Sequence, residues 1–173
     1  MLTARWRPAC ELIGPCETTL RVLPNNLDIF GHVNNGVYLT LMDLARTDMM
    51  LRAGVLARIF RNGWYPIVAS ESIRFRRSLK LGQRFSINTR VLGWNEKSVY
   101  LLQTFSRSHD HATVAEALVE ARFLSRRGGQ VTPTEMLTFL NLADRYADQA
   151  ALPAWVDQWH ESVNTDVGRM HNN

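Results

Sequence analysis

The segment Asp28 to Tyr38 (DIFGHVNNGVY) sets a carboxylate, an imidazole and two carboxamides just ahead of a strongly apolar run. Residue types in that order suit attack on a carbonyl. The carbonyl oxygen gains negative charge when attacked, and backbone N–H groups at a helix start have no partner inside the helix and point at such charge. The helix dipole adds to the effect. Gly36, Val37 and Tyr38 would carry those amides. Asp28 stands a few residues upstream on a loop, within reach of the same carbonyl. A carboxylate either attacks directly or activates water, and both routes stay open. His32, with a reference pKa of ~6.5, is a proton carrier or the residue that holds Asp28 in place. Gly31 permits a backbone conformation closed to other residues. Asn34 and Asn35 are helix caps, one of them also a substrate contact. The Tyr38 ring is a packing residue or a pocket wall.

Other groups carry less. Asp43 is a rival carboxylate on the apolar run, but Arg46 and Thr47 lie beside it, which suits a structural pair. Arg74, Arg76 and Arg77 end a strand-like run. Arg74 and Arg76 share a face, and Arg77 points the other way. Arg126 and Arg127 beside Gly128-Gly129 form a second, weaker basic cluster. His109-Asp110-His111 has metal-like residue types but falls in a hairpin turn with no third ligand nearby, so no metal is expected.

The elements that must hold these residues are legible in the hydrophobic pattern. Residues 1–17 are an irregular lead-in with Pro8, Gly14 and Pro15. Thr18 to Leu23 is a short strand, ended by the turn Pro24-Asn25-Asn26. From Gly36 the apolar residues cover most of a helix's circumference, which predicts a long helix buried on several sides. Asn34 or Asn35 caps it, Gly54 stops it, and Asp48 and Arg52 form an i,i+4 pair. Four strands follow, Tyr65 to Arg77, Arg84 to Leu92, Ser98 to Arg107 and Ala112 to Arg126. Hairpin-length turns join them, so neighbours run antiparallel. Thr132, Pro133 and Glu135 start a further helix, and a second short helix begins at Pro153. The chain after Ser162 reads as a frayed tail. The domain therefore spans 18–130, with a helical extension over 131–162 and a flexible tail over 163–173.

Composition is ordinary for one soluble domain: 173 residues, 46% hydrophobic and 21% charged. The net charge is +4, and every basic residue except Lys80 and Lys97 is arginine. Acids lie between the bases, with neither the dense patch nor the motif of a nucleic-acid binder. No stretch approaches the ~20 apolar residues of a membrane helix. Arg5, Arg7 and Pro8 precede no apolar run, so no signal peptide is expected and a cytoplasmic location is the default. Cys10 and Cys16 match no metal or redox spacing and are read as reduced thiols.

Asp28 to Tyr38, followed by a helix, closely resembles the opening motif of hotdog-fold thioesterases, in particular the 4-hydroxybenzoyl-CoA thioesterase branch. Ser72 to Gly82 (SIRFRRSLKLG) resembles that family's central strand and turn, and Gly93 to Glu96 (GWNE) with the next strand is similar to thioesterase-superfamily proteins of the same branch. The resemblance covers roughly residues 18 to 127. It implies an α+β hotdog fold, a five-stranded antiparallel sheet wrapped around one long buried helix, plus C-terminal helices. It implies an acyl-CoA thioesterase needing no cofactor, with Asp28 as nucleophile or general base. The catalytic set is then Asp28, His32, Asn35, Gly36, Val37 and Tyr38. Arg74, Arg76, Arg77 and Asn34 are the substrate-binding candidates, because coenzyme A carries phosphates that suit arginine; the rival reading of the arginines is a charged sheet edge. The family implies homodimers, or dimers paired into homotetramers. The alternative is a non-catalytic hotdog module that binds an acyl thioester or a protein partner.

Overall fold

The computed structural model describes residues 7–149 and 151–170; Arg5 of the lead-in and the last three residues of the expected tail lie outside them. Its strands are β1 (Cys16–Arg21), β2 (Trp64–Phe75), β3 (Arg84–Trp94), β4 (Val99–Arg107), β5 (Thr113–Ser125) and β6 (Gln130–Val131). Its α-helices are α1 (Asn35–Arg52), α2 (Leu56–Arg61), α3 (Pro133–Phe139) and α4 (Ala154–Met170). The sheet is antiparallel, in the order β1-β3-β4-β5-β2, with short β6 added beside β5. One strand more than the expected five is present because the chain after the Gly128-Gly129 turn returns to pair Val131 with Phe123.

Period-two alternation divides the sheet into two faces. Phe85, Ile87 and Val91 of β3, Leu101 and Phe105 of β4, and Ala115, Ala117 and Val119 of β5 point inward into one core with α1. The helix supplies Tyr38, Met42, Ala45 and Met49 to that core. It is not buried all round: Leu39, Leu44 and Leu51 lie exposed on its far side. The sheet covers only one flank of α1, so apolarity all round does not mean burial all round within a single chain.

On the outer face, Tyr100 and Leu118 form a second small core with Val156 of α4, and Trp159 donates its indole N–H to Ser72 Oγ at 3.0 Å. Docked there, α4 runs on to Met170, past the point where fraying was expected; packing of an amphipathic face supports a helix that propensity alone does not. Helix α3 starts as expected, Thr132 Oγ1 accepting from Glu135 N at 3.1 Å. Its C-terminal end is held by Arg58 of α2, which donates to the carbonyls of Phe139 and Leu140 at 3.0 Å each. The sequence pattern did not show α2, a helix of only six residues between Gly54 and β2.

The cysteines are a correction. Cys10 and Cys16 form a disulfide, with Cα atoms 5.7 Å apart. A bend at residues 12–14 folds the lead-in back on β1, and spacing alone carried no sign of that. Disulfides persist in oxidising surroundings, so the cysteine pair lends no support to the expected cytoplasmic location. Among the described residues no helix is long and apolar enough to cross a membrane.

Candidate functional site

Two regions of α1 carry chemistry. The first is its N-terminal approach. Leu27 bridges to Val33 and His32 to Lys80, so the motif closes as a small loop against the turn before β3. At its tip Gly31 has φ +74°, the left-handed conformation expected of it. Asp28 organises this loop. Its Oδ1 accepts from Phe30 N at 2.9 Å and His32 N at 3.2 Å, while its own N–H donates to the His32 carbonyl at 2.8 Å. It is thus the backbone of His32 that is tied to Asp28. Ile29 and Phe30 project at the tip, 93% and 75% exposed.

Asn34 is the helix cap. Its Oδ1 accepts from Gly36 N at 2.8 Å and its carbonyl accepts from Val37 N at 2.9 Å. Two of the amides expected to face a carbonyl are therefore engaged within the cap. Asn35 opens the helix and is exposed. Tyr38 is buried against Phe75 and Phe105, ring centroids 5.1 Å away in each case. Burial pushes its hydroxyl up to about 12, against a hydrogen bond at Leu79 that lowers it.

The second region lies about two turns further along, ~12 Å by helix rise. A cavity of about 130 Å³ opens between α1, the inner sheet face and α3. Its walls are apolar, among them Met49, Met50, Val99, Leu101, Phe123 and Met136, and its polar end is Asp43, Arg46 and Thr47. Leu12 and Ile13, inside the disulfide loop, close part of the wall. Trp64 packs on Phe139 of α3 behind this cavity's end helix.

Arg46 is 7% exposed. It donates to Gln103 Oε1 at 2.6 Å and pairs with Asp43, whose side chain is 69% exposed. Gln103 passes the contact on, donating to the Met42 carbonyl at 3.1 Å and Thr89 Oγ1 at 3.0 Å. Buried polar groups persist where each has a partner, and this chain of contacts crosses an otherwise apolar core. Sequence reasoning named Asp43 and Arg46 as a pair but missed Gln103 and Thr89. The signal was present: each is a polar residue at an inward position, between Leu101 and Phe105 or between Ile87 and Val91.

The arginines separate. Arg74 lies across from Glu116 on the outer face, and Arg76 Nε donates to Glu116 Oε2 at 2.8 Å. Arg77 donates to the Thr113 carbonyl and, with Ser78, Lys80, Gln83 and Arg107, lines a basic hollow. Lys80 is the residue whose backbone bridges His32, so this hollow adjoins the motif loop. Lys80 and Arg107, far apart in sequence, were not foreseen as its partners. Asp110 of the hairpin turn pairs with Arg107.

A family model described as the thioesterase-like superfamily matches residues 22–160. The chain belongs to this superfamily. Among relatives, it is 40% identical over 106 residues to "Protein THEM6" of Xenopus laevis, covering 61% of this chain and 51% of that protein. It is 27% identical over 103 residues to the long-chain acyl-CoA thioesterase FadM of Escherichia coli, covering 60% of this chain and 78% of that one. The chain spans about half the length of the THEM6 proteins of Xenopus laevis and Danio rerio, 51% and 57%. The crystal structure of YbaW, a probable thioesterase from Escherichia coli, superposes with a TM-score of 0.65 at 22% identity, over 78% of this chain and 98% of that one. SAV2348 from Staphylococcus aureus, solved in complex with CoA, gives 0.67 at 14% identity, over 86% and 93%. The superfamily's hotdog fold, an antiparallel sheet packed on one long helix, is the α+β architecture described above.

Proposed function

We propose that this thioesterase-superfamily chain hydrolyses acyl-CoA thioesters, with the acyl chain in the apolar cavity and the thioester near its polar end. The observation that carries the reading is that cavity: apolar walls of Met, Leu, Val and Phe ending on Asp43, Arg46 and Thr47. Asp28 is the proposed nucleophile or general base, with His32, Asn34 and the helix start through Tyr38 building its surroundings. The basic hollow at Arg77 adjoins the same loop and suits the phosphates of coenzyme A better than Arg76, which Glu116 already holds.

The Asp28 loop and the cavity head lie apart on α1, so the site is completed by a second copy. The exposed apolar residues at the loop tip, Ile29 and Phe30, and on α1, Leu39, Leu44 and Leu51, support a two-fold homodimer. So does the open edge of β2, which among the described residues pairs with β5 alone.

The test is release of free thiol by the purified protein from a panel of short, long and aromatic acyl-CoAs. Turnover is expected with aliphatic chains, and silence across the panel overturns the reading. One observation favours the second reading, a hotdog module that binds without turnover: the Gly36 and Val37 amides and Asp28 Oδ1 are engaged inside the loop and cap. In that case acyl-CoA raises the melting temperature by mass action while no thiol appears.

A further inference from the structure

The strand register gives the cavity a direction. Inward residues of a strand recur at every second position. On β4, Gln103 holds Arg46 and so marks the polar end, where the Asp43 side chain stands open to solvent. Leu101 is the next inward residue of β4, and Val99 follows it, paired with Ala121 of β5. Phe123 is the next inward residue of β5. Leu101, Val99, Ala121 and Phe123 all line the cavity. It therefore runs along the sheet from Arg46 toward Phe123.

At the Phe123 end the chain builds a wall. Phe123 pairs with Val131, and α3 begins two residues later. Pro133, Met136, Leu137 and Leu140 line the cavity, spaced i, i+3, i+4 and i+7 so that they share one face. The last three are buried, as is Ile59 of α2, which also lines it. Both ends of α3 are held. Thr132 caps its start, and Arg58 binds the carbonyls of Phe139 and Leu140 at its finish. Behind it Phe139 packs on Trp64, ring centroids 4.9 Å apart. A helix fixed at both ends and backed by an indole is a stop rather than a lid. Met136 stands mid-stripe, in one core cluster with Phe123 and Val131. The volume of about 130 Å³ is close to the ~150 Å³ of an apolar protein cavity that takes benzene, so it accommodates about six carbons.

We propose that α3 is the chain-length stop of the acyl site, with Met136 the residue against which the far end of a short acyl chain rests. This rests on the reading of the cavity as an acyl site, but not on turnover. The core sheet and α1 then supply the side walls, and the helical extension beyond the sheet supplies the specificity.

The experiment is calorimetric titration of the full chain with the straight-chain alcohols from butan-1-ol to decan-1-ol, alongside kcat/KM for acyl-CoAs of the same chain lengths. Wild type is compared with Met136→Ala, Leu137→Ala and Met136→Phe, each first shown by melting to be folded. Phe60→Ala, on α2 but outside the cavity, is the control. Wild-type affinity is expected to rise about fourfold per added carbon, the scale of one buried methylene. It should level off at about six carbons, where the cavity is full. Met136→Ala and Leu137→Ala should move the levelling point out by about two carbons, the space each truncation leaves. Met136→Phe should move it in by about one carbon. Phe60→Ala should leave it unchanged. Loss of stability alone weakens binding at every length and does not move that point. An unmoved levelling point in all three cavity variants, or a wild-type rise that continues through decan-1-ol, overturns the role of α3 while leaving the acyl cavity intact. Absence of alcohol binding overturns both. Absence of acyl-CoA turnover alongside the expected shifts removes the hydrolase reading and leaves this inference standing.

Discussion

Arg46 and Gln103 meet across the interior at 2.6 Å, although fifty-seven positions separate them in sequence. One comes from the buried flank of α1 and the other from the inward row of β4. Their bond places a guanidinium at the end of an apolar cavity and fixes which way it points. Replacing Gln103 by Leu leaves the Arg46 N–H and the Thr89 hydroxyl unpaired in the core. The expected loss is about 2 kcal/mol, from the cost of stranding buried polar groups. Arg46→Ala should cost more, about 3 kcal/mol, since it also removes the stem that packs on the core. Urea denaturation checks both, as a lower midpoint at unchanged slope.

Asp28 has two separable tasks. Oδ1 holds the amides of Phe30 and His32, while the negative charge is the proposed reactive element. Asp28→Asn keeps an acceptor oxygen and removes the charge. It should melt within a degree or two of wild type yet lose about a hundredfold or more in kcat, the scale of a positioned acid–base group. Asp28→Ala should lose the same activity and about 1 kcal/mol of stability. Asp43→Asn provides the contrast. If Asp43→Asn abolishes turnover and Asp28→Asn does not, the carboxylate at the cavity head is the reactive one.

Glu71 makes stability depend on pH in the unusual direction for an acid. Its folded pKa is raised, so folding disfavours its ionised form. The penalty is absent below the unfolded value and grows as pH rises through the folded one. Glu71→Gln is therefore expected to melt above wild type at neutral pH and level with it in acid. Melting curves at pH 4 and pH 7.5 decide this.

Glu120 behaves in the opposite way. Burial alone would raise its pKa, but the Ser98 hydroxyl, the Arg122 guanidinium and His160 together hold it below the ordinary range. Its contribution is present above the unfolded pKa and disappears as pH falls through the folded one. Glu120→Gln should melt below wild type at pH 7 and converge with it in acid. Because α4 docks over this face, limited proteolysis of α4 should quicken in the variant at pH 7.

The Cys10–Cys16 bridge closes a short loop that carries two cavity walls, Leu12 and Ile13. Chain-entropy arguments for a loop of this length give about 2 kcal/mol of stabilisation. Reduction, or Cys10→Ser with Cys16→Ser, should lower the melting temperature and weaken binding of an alkyl ligand. An unchanged melting temperature after complete reduction would show that Arg7 and Arg52, bonded to Asp48 and the Pro8 carbonyl, anchor the lead-in unaided.

The sequence alone determined most of the elements and the family, missing the short α2 and β6. Period-two alternation located β3, β4 and β5 to within a residue or two. The Asn34 cap and the run after Gly36 placed α1, and Thr132-Pro133 placed the start of α3. These signals are local: a strand's faces, a helix's cap and a turn's glycine are set by neighbours a few positions away. Asp28 to Tyr38 marked the fold for the same reason, since its loop closes through its own backbone. Tertiary structure decided what lies far apart in the chain. It joined Arg46 to Gln103 and Gln103 to Thr89, left Glu71 Oε2 without a hydrogen-bond partner among the described residues, divided the arginines between Glu116 and the basic hollow, and brought Cys10 to Cys16. Hydrogen bonds, ion pairs and disulfides act over a few ångströms in space, and only the paired register of the strands under α1 says which distant residues come that close.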